Sequence, residues 1–159
     1  ATESEIRDAL KQEPQAYIER LVDTAARVDS SSDFELESAA LVSSIRAGGD
    51  MTKLTSWWLH RMLNSPVPLV EKMTLFWHGH FATGAEKVLD VDLMYEQNQL
   101  LRRYCLGDFR QLVHEISKDP AMLIYLDSAT NRKAHANENY ARELTELFCL
   151  GEGNYTEKD

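Results

Sequence analysis

The chain has 159 residues, 43% of them hydrophobic and 27% charged, with a formal net charge of −9. That length suits one domain with a sizeable core. The acidic balance disfavours nucleic acid or an anionic membrane as a partner, because both need a basic surface, and no apolar run approaches the ~20 residues that span a bilayer.

The predicted elements are helical from end to end. Thr2 with Glu5 resembles a capping box and opens a short helix to about Gln12. Pro14 lies in the first turn of a helix over 14–28, with Tyr17, Ile18, Leu21, Val22 and Ala25 on one stripe. Ser30 to Asp33 is a polar break and a cap; a helix over 33–47 follows, and Gly48–Gly49 ends it. Asp50 caps a helix over 51–64 that carries Trp57, Trp58 and Met62. Ser65–Pro66–Val67–Pro68 is a rigid connector, and Pro68 starts a helix over 68–83 that Gly84 closes. A helix over 91–106 ends at Gly107, Asp108 caps another over 108–118, and Pro120 opens a short one from Ala121 to Leu126. Asn131 to Ala136 is a polar loop, after which Asn137 leads a last helix over 137–150, closed by Gly151. No segment shows a run of strand alternation. The expectation is an all-α, single compact multi-helix domain of about nine helices with no substantial sheet. Leu21, Trp57, Met73, Trp77, Tyr140, Leu144 and Phe148 are among its core residues. Cys105 and Cys149 are read as two buried free thiols, with a disulfide between them as the alternative.

The densest chemistry is in FWHGHFATG, Phe76 to Gly84. On a helix turning about 100° per residue, Leu69, Val70, Met73, Phe76, Trp77 and Phe81 share an apolar face with His80. His78 falls about 200° away from His80, beside Glu71 and Thr74 on the polar side. An intact helix therefore cannot aim both rings at one ion; a break at Gly79 would let them converge. The leading expectation is one packed histidine and one exposed one, with a shared polar site as the alternative.

The second dense block is NRKAHANENYARELTELFCLG, Asn131 to Gly151. Tyr140, Leu144, Leu147 and Phe148 form its buried stripe, with Glu143 on the flank and Asn139 one turn before it. A carboxylate there is either partnered or functional, since unpaired burial is costly. Glu138, Arg142 and Glu146 have the spacing of an exposed ion-pair ladder. His78, His80 and Glu143 are the candidate catalytic or metal-binding residues. Asn137, Glu138, Asn139 and Arg142 are the candidate binding residues. Imidazole with carboxylate would suit zinc or iron, or acid–base work. The simplest arrangement packs helix 68–83 on helix 137–150, with a histidine near Asn139, Arg142 or Glu143. No GxSxG, P-loop, GxGxxG, HExxH or EF-hand loop is present.

EKMTLFWHGHFATG together with DPAMLIYLDSATNRKAHANENYARELTELFCLGEGNYTEKD resembles the bacterial "domain of unknown function 1800" family. The likeness is detailed over 69–84 and 119–159 and plausible between them, so 51–159 is family-like and 1–50 is poorly specified. The family usually has Asn where this chain has Gly79, and Gly and Pro near Ala134, His135 and Ala136. The resemblance implies a mostly helical protein, often exported or periplasmic, with genes often beside those of a sulfatase-like family. It carries no established reaction or residue role. It also implies that residues 1–159 are one helical domain, a fragment of a longer chain whose C-terminal part would be its partner. An exposed apolar patch or self-association is then expected in the C-terminal half. Two functions remain open. One is a helical binding or scaffold module of an exported or cell-envelope protein; the other is a metal-dependent or acid–base enzyme built from the WHGHF and NENYARE motifs.

Overall fold

A computed structural model describes residues 3–27, 32–128, 131–132 and 138–156. The described residues form an all-α, single compact domain of ten helices: α1 Glu3–Leu10, α2 Pro14–Ala25, α3 Asp33–Gly48, α4 Met51–Asn64, α5 Pro68–Phe81, α6 Ala85–Val88, α7 Val91–Tyr104, α8 Phe109–Ile116, α9 Pro120–Tyr125 and α10 Asn139–Glu143. The last runs on as a π-helical segment, Leu144–Cys149. No β-strand occurs among the described residues.

Short polar side chains set the helix starts. Ser32, Asp50, Asp90, Asp108 and Asp119 each accept a hydrogen bond from the backbone N–H three residues on, satisfying a donor that the first turn leaves open. Gly49, at φ 63°, closes α3 in the left-handed region that favours glycine. The end of α5 departs from expectation. Ala82 takes the left-handed cap at φ 48°, and Gly84, at φ −98°, is the N-cap of the unforeseen α6.

α7 is the central helix, packed against α4, α5, α6, α8 and α9. Its buried Val91 and Met94 join Val42, Leu54 and Trp57 in one core. Its Leu101 joins Phe81, Leu112, Ile116, Met122 and Phe148 in a second. A third, smaller cluster holds Ala25, Val70 and Cys105. Of the expected core residues, Trp57 and Phe148 are fully buried, while Leu21, Met73, Trp77, Tyr140 and Leu144 are half-buried. Both cysteines are free; Cys105 is buried but Cys149 is exposed.

The last helix is not the uniform α-helix expected over 137–150. The Thr145 hydroxyl donates to the carbonyls of Ala141 and Arg142, and the Leu150 N–H reaches back to Thr145, five residues away. That widened turn keeps Phe148 inside but leaves Leu147 exposed, off the stripe expected to be buried.

Candidate functional site

Three helices repeat one spacing rule. Trp58 lies one turn before Arg61 on α4, His78 two turns after Glu71 on α5, and Asn98 one turn before Arg102 on α7. Residues so spaced share a helix face. The order is reversed on α5, as it must be for a helix running antiparallel between the other two. Arg61, Glu71 and Arg102 therefore meet at one level of the bundle. Trp58, His78 and Asn98 line a cavity of about 270 Å³ at the next.

The charged level holds the helices in place. Arg102 forks onto Glu71, with Nε 2.9 Å from Oε1 and Nη2 3.0 Å from Oε2. Arg61 Nε donates to the same Oε1 at 3.0 Å, and its other two nitrogens fork onto Glu35 at 2.9 and 2.7 Å. Ser38 Oγ accepts from both Arg61 and Trp57 Nε1. These bonds tie α3, α4, α5 and α7 together. Burial pushes the Glu71 pKa up, but the Arg102 and Arg61 guanidiniums outweigh it, and the net is a carboxyl below the ordinary glutamate value.

This corrects the predicted faces of α5. Glu71 and Thr74, expected on its polar side, are 1% and 0% exposed, whereas Phe76, expected inside, is 55% exposed. The reason is satisfaction of polar groups: two arginines neutralise Glu71, and the Thr74 hydroxyl donates to the Val70 carbonyl at 2.8 Å. The helix also runs unbroken through Gly79.

The cavity level has the opposite character. Asn98 is 7% exposed, yet neither its amide nitrogen nor its amide oxygen meets a protein partner, and the buried Trp58 Nε1 meets none either. Each such group costs about 1–3 kcal/mol when left unpaired. The His78 ring stands edge-on to Trp58, centroids 5.0 Å apart. Burial pushes the His78 pKa down, so at neutral pH the ring offers one donor and one acceptor. Leu54, Trp57 and Met94 supply apolar wall.

A buried polar chain fixes the floor. Gln97 Nε2 donates to Thr83 Oγ1 at 3.0 Å and to Asp119 at 2.7 Å, and Asp119 also accepts from the Met122 N–H at 2.8 Å. Burial raises the Asp119 pKa. The rim is α6, bracketed by two non-glycine residues in the left-handed region, Ala82 at φ 48° and Leu89 at φ 56°. Such residues cost about 1–3 kcal/mol each and cluster at binding sites.

The model for the family described as "Protein of unknown function (DUF1800)" matches residues 1–159. The chain belongs to this family. No curated protein and no solved structure matches it.

The two motif histidines occupy different surroundings. His78 is in the cavity. His80 is half-buried among aromatic rings, including those of Phe76, Trp77, Phe109 and Phe148, and its Nε2 lies 3.0 Å from the Phe148 carbonyl oxygen. WHGHF thus meets the second block at Phe148 of the π segment, through its carbonyl and its ring. On α10, Asn139 Nδ2 donates to the Leu126 carbonyl at 3.4 Å, and Arg142 donates to Asn139 Oδ1 at 2.6 Å. Glu143 is half-buried, Glu138 is exposed, and Asn137 lies outside the described residues, as do Ala134, His135 and Ala136. Among the described residues no group of three or more His, Cys, Asp or Glu side chains could hold a metal ion.

Sequence reasoning missed Trp58, Asn98 and the Arg61–Glu71–Arg102 cluster. The available signal was the run of one- and two-turn spacings that puts each charged residue on the face of a cavity residue. Asn98 itself carries no signal in sequence, because its lack of partners is a property of the packed state.

Proposed function

We propose that this chain is a helical binding module that takes a small polar molecule in the cavity among Trp58, His78 and Asn98. The observation that carries the reading is the Asn98 amide, nine-tenths buried and without a protein partner at either end, beside an equally unpartnered Trp58 indole N–H. A folded core does not keep such groups for stability, because a leucine of similar size would avoid the desolvation penalty. Apolar walls with a few convergent polar groups are the usual make-up of a ligand site. Among the described residues the ring contact of His78 is Trp58 and burial alone shifts its pKa, which favours recognition over acid–base work. The family resemblance suggests an exported or cell-envelope setting; no helix among the described residues is long and apolar enough to cross a membrane.

Benzamide is a suitable first probe. Its carboxamide can pair with both ends of the Asn98 amide, and its ring suits the tryptophan wall. Titration followed by ¹H–¹⁵N NMR is expected to give saturable shifts of the Trp58 indole and Asn98 side-chain signals. The Trp58 indole shift, the signal that remains readable in Asn98→Leu, is expected to vanish there; the change removes a buried unpaired amide and so leaves the fold intact. No shift at millimolar benzamide, or a shift that persists in Asn98→Leu, rejects this site and leaves a cavity that holds only water.

A further inference from the structure

The cavity's mouth carries one feature that the binding reading does not use. Glu86, on the first turn of α6, folds its carboxylate back over Gly84, so that a Cβ at position 84 would collide with it. Gly84 has φ −98°, which any residue can adopt, and the Glu86 carboxylate rests in the space that a side chain at 84 would take. No lysine or arginine among the described residues pairs with Glu86; its neighbour Lys87 is bonded to Asp127 at 2.8 Å instead.

Glu86 is also the one acidic or basic side chain, besides the neutral His78, that lines the cavity among the described residues. Inside, every unsatisfied group is uncharged: the Asn98 amide and the Trp58 N–H. An anionic ligand would find no cation in the wall and a carboxylate at the entrance, on a chain already at −9. An ammonium at the entrance would meet Glu86 while remaining partly in water.

We propose that the cavity selects a small organic amine: an ammonium received by Glu86 at the mouth, and an uncharged amide or hydroxyl held by Asn98 and Trp58 inside. This rests on the reading of the cavity as a ligand site and names the ligand class for it. At about 270 Å³ the cavity suits a single-ring or similarly compact molecule.

Three probes of one shape separate the charge question from the binding question: benzamide, 3-(aminomethyl)benzamide and 3-carbamoylbenzoate. At low salt the amine is expected to bind about three- to five-fold tighter than benzamide and the acid weaker by a similar factor, the range set by a partly solvated ion pair. Raising the salt to 0.5 M shrinks the spread. Glu86→Gln is expected to collapse the ratio of amine to acid affinity toward one. Gly84→Ala pushes the flexible Glu86 carboxylate out of place and narrows the ratio while the fold, read by circular dichroism, is kept. Glu19→Gln on α2, which removes the same charge away from the cavity, leaves the ratio in place. Amine binding no tighter than benzamide, or a preference that survives Glu86→Gln, overturns the inference while the ligand site stands. Failure of all three probes overturns both.

Discussion

Glu71→Gln tests the charged level of the bundle directly. Glu71 is 1% exposed and takes three bonds from two arginines, one of which, Arg61, is itself 3% exposed. Removing one member of a buried ion cluster costs about 3–5 kcal/mol, because the remaining charge is stranded. Glutamine retains an oxygen, and the Nε atoms of both arginines converge on the single Oε1. Arg61 also keeps Glu35. The loss therefore falls at the lower end, about 3 kcal/mol, which for a domain of this size is a fall in Tm of about 6–12 °C. The pH dependence gives a second signature. The folded-state pKa of Glu71 lies below the unfolded one, so its stabilisation is complete above the unfolded value of about 4.3 and is lost as pH falls through the folded value. The gap between wild type and variant should be constant near neutrality and narrow below about pH 4.3. Thermal melts followed at 222 nm from pH 7 down to about pH 2 measure both. A fall in Tm under about 3 °C would mean that the cluster is no more than a surface ion pair in its energetics, and the reasoning fails.

Two further expectations concern the motif helix. Burial holds the His78 pKa below its ordinary value, so the stability it contributes is full above about pH 6.5 and is lost as pH falls toward the folded value; His78→Gln should flatten the stability profile between pH 7 and 5, and an unchanged profile would count against a buried neutral ring. Gly79 sits in mid-helix with nothing within 4 Å of an added Cβ, so Gly79→Ala should stabilise by about 0.5–1 kcal/mol in denaturant titrations, and destabilisation would point to a break in the helix that α5 does not have.

The helices were readable because their signals are local. Asp50 and Asp108 cap from within three residues, Pro68 opens α5, and Gly49 closes α3, all without reference to the rest of the chain. The faces of α5 were not readable in the same way. A glutamate and a threonine on one side of a helix signify solvent unless something neutralises the acid, and the neutralising groups lie 10 and 31 residues away on other helices. The same holds for His80, whose partner is a backbone carbonyl 68 residues away in a turn widened by Thr145. Side-chain type gives no account of a carbonyl's position. Helix geometry separated His78 from His80 as expected, but it placed His78 on the solvent side, whereas the folded chain half-buries it against Trp58.

The ion cluster bears on how this sequence can change over generations. Glu35, Arg61, Glu71 and Arg102 hold two negative and two positive charges in mutual contact, so the group is neutral as a whole and unbalanced after the loss of any one. A lineage can keep all four or replace them together with apolar residues, and either end state can be stable. The routes between them pass through chains with a stranded buried charge, several kcal/mol worse than both. Four codons spread over four helices are thereby bound into one heritable unit. Because three of those helices also carry Trp58, His78 and Asn98, drift elsewhere in the bundle can proceed while the walls of the cavity keep their spacing.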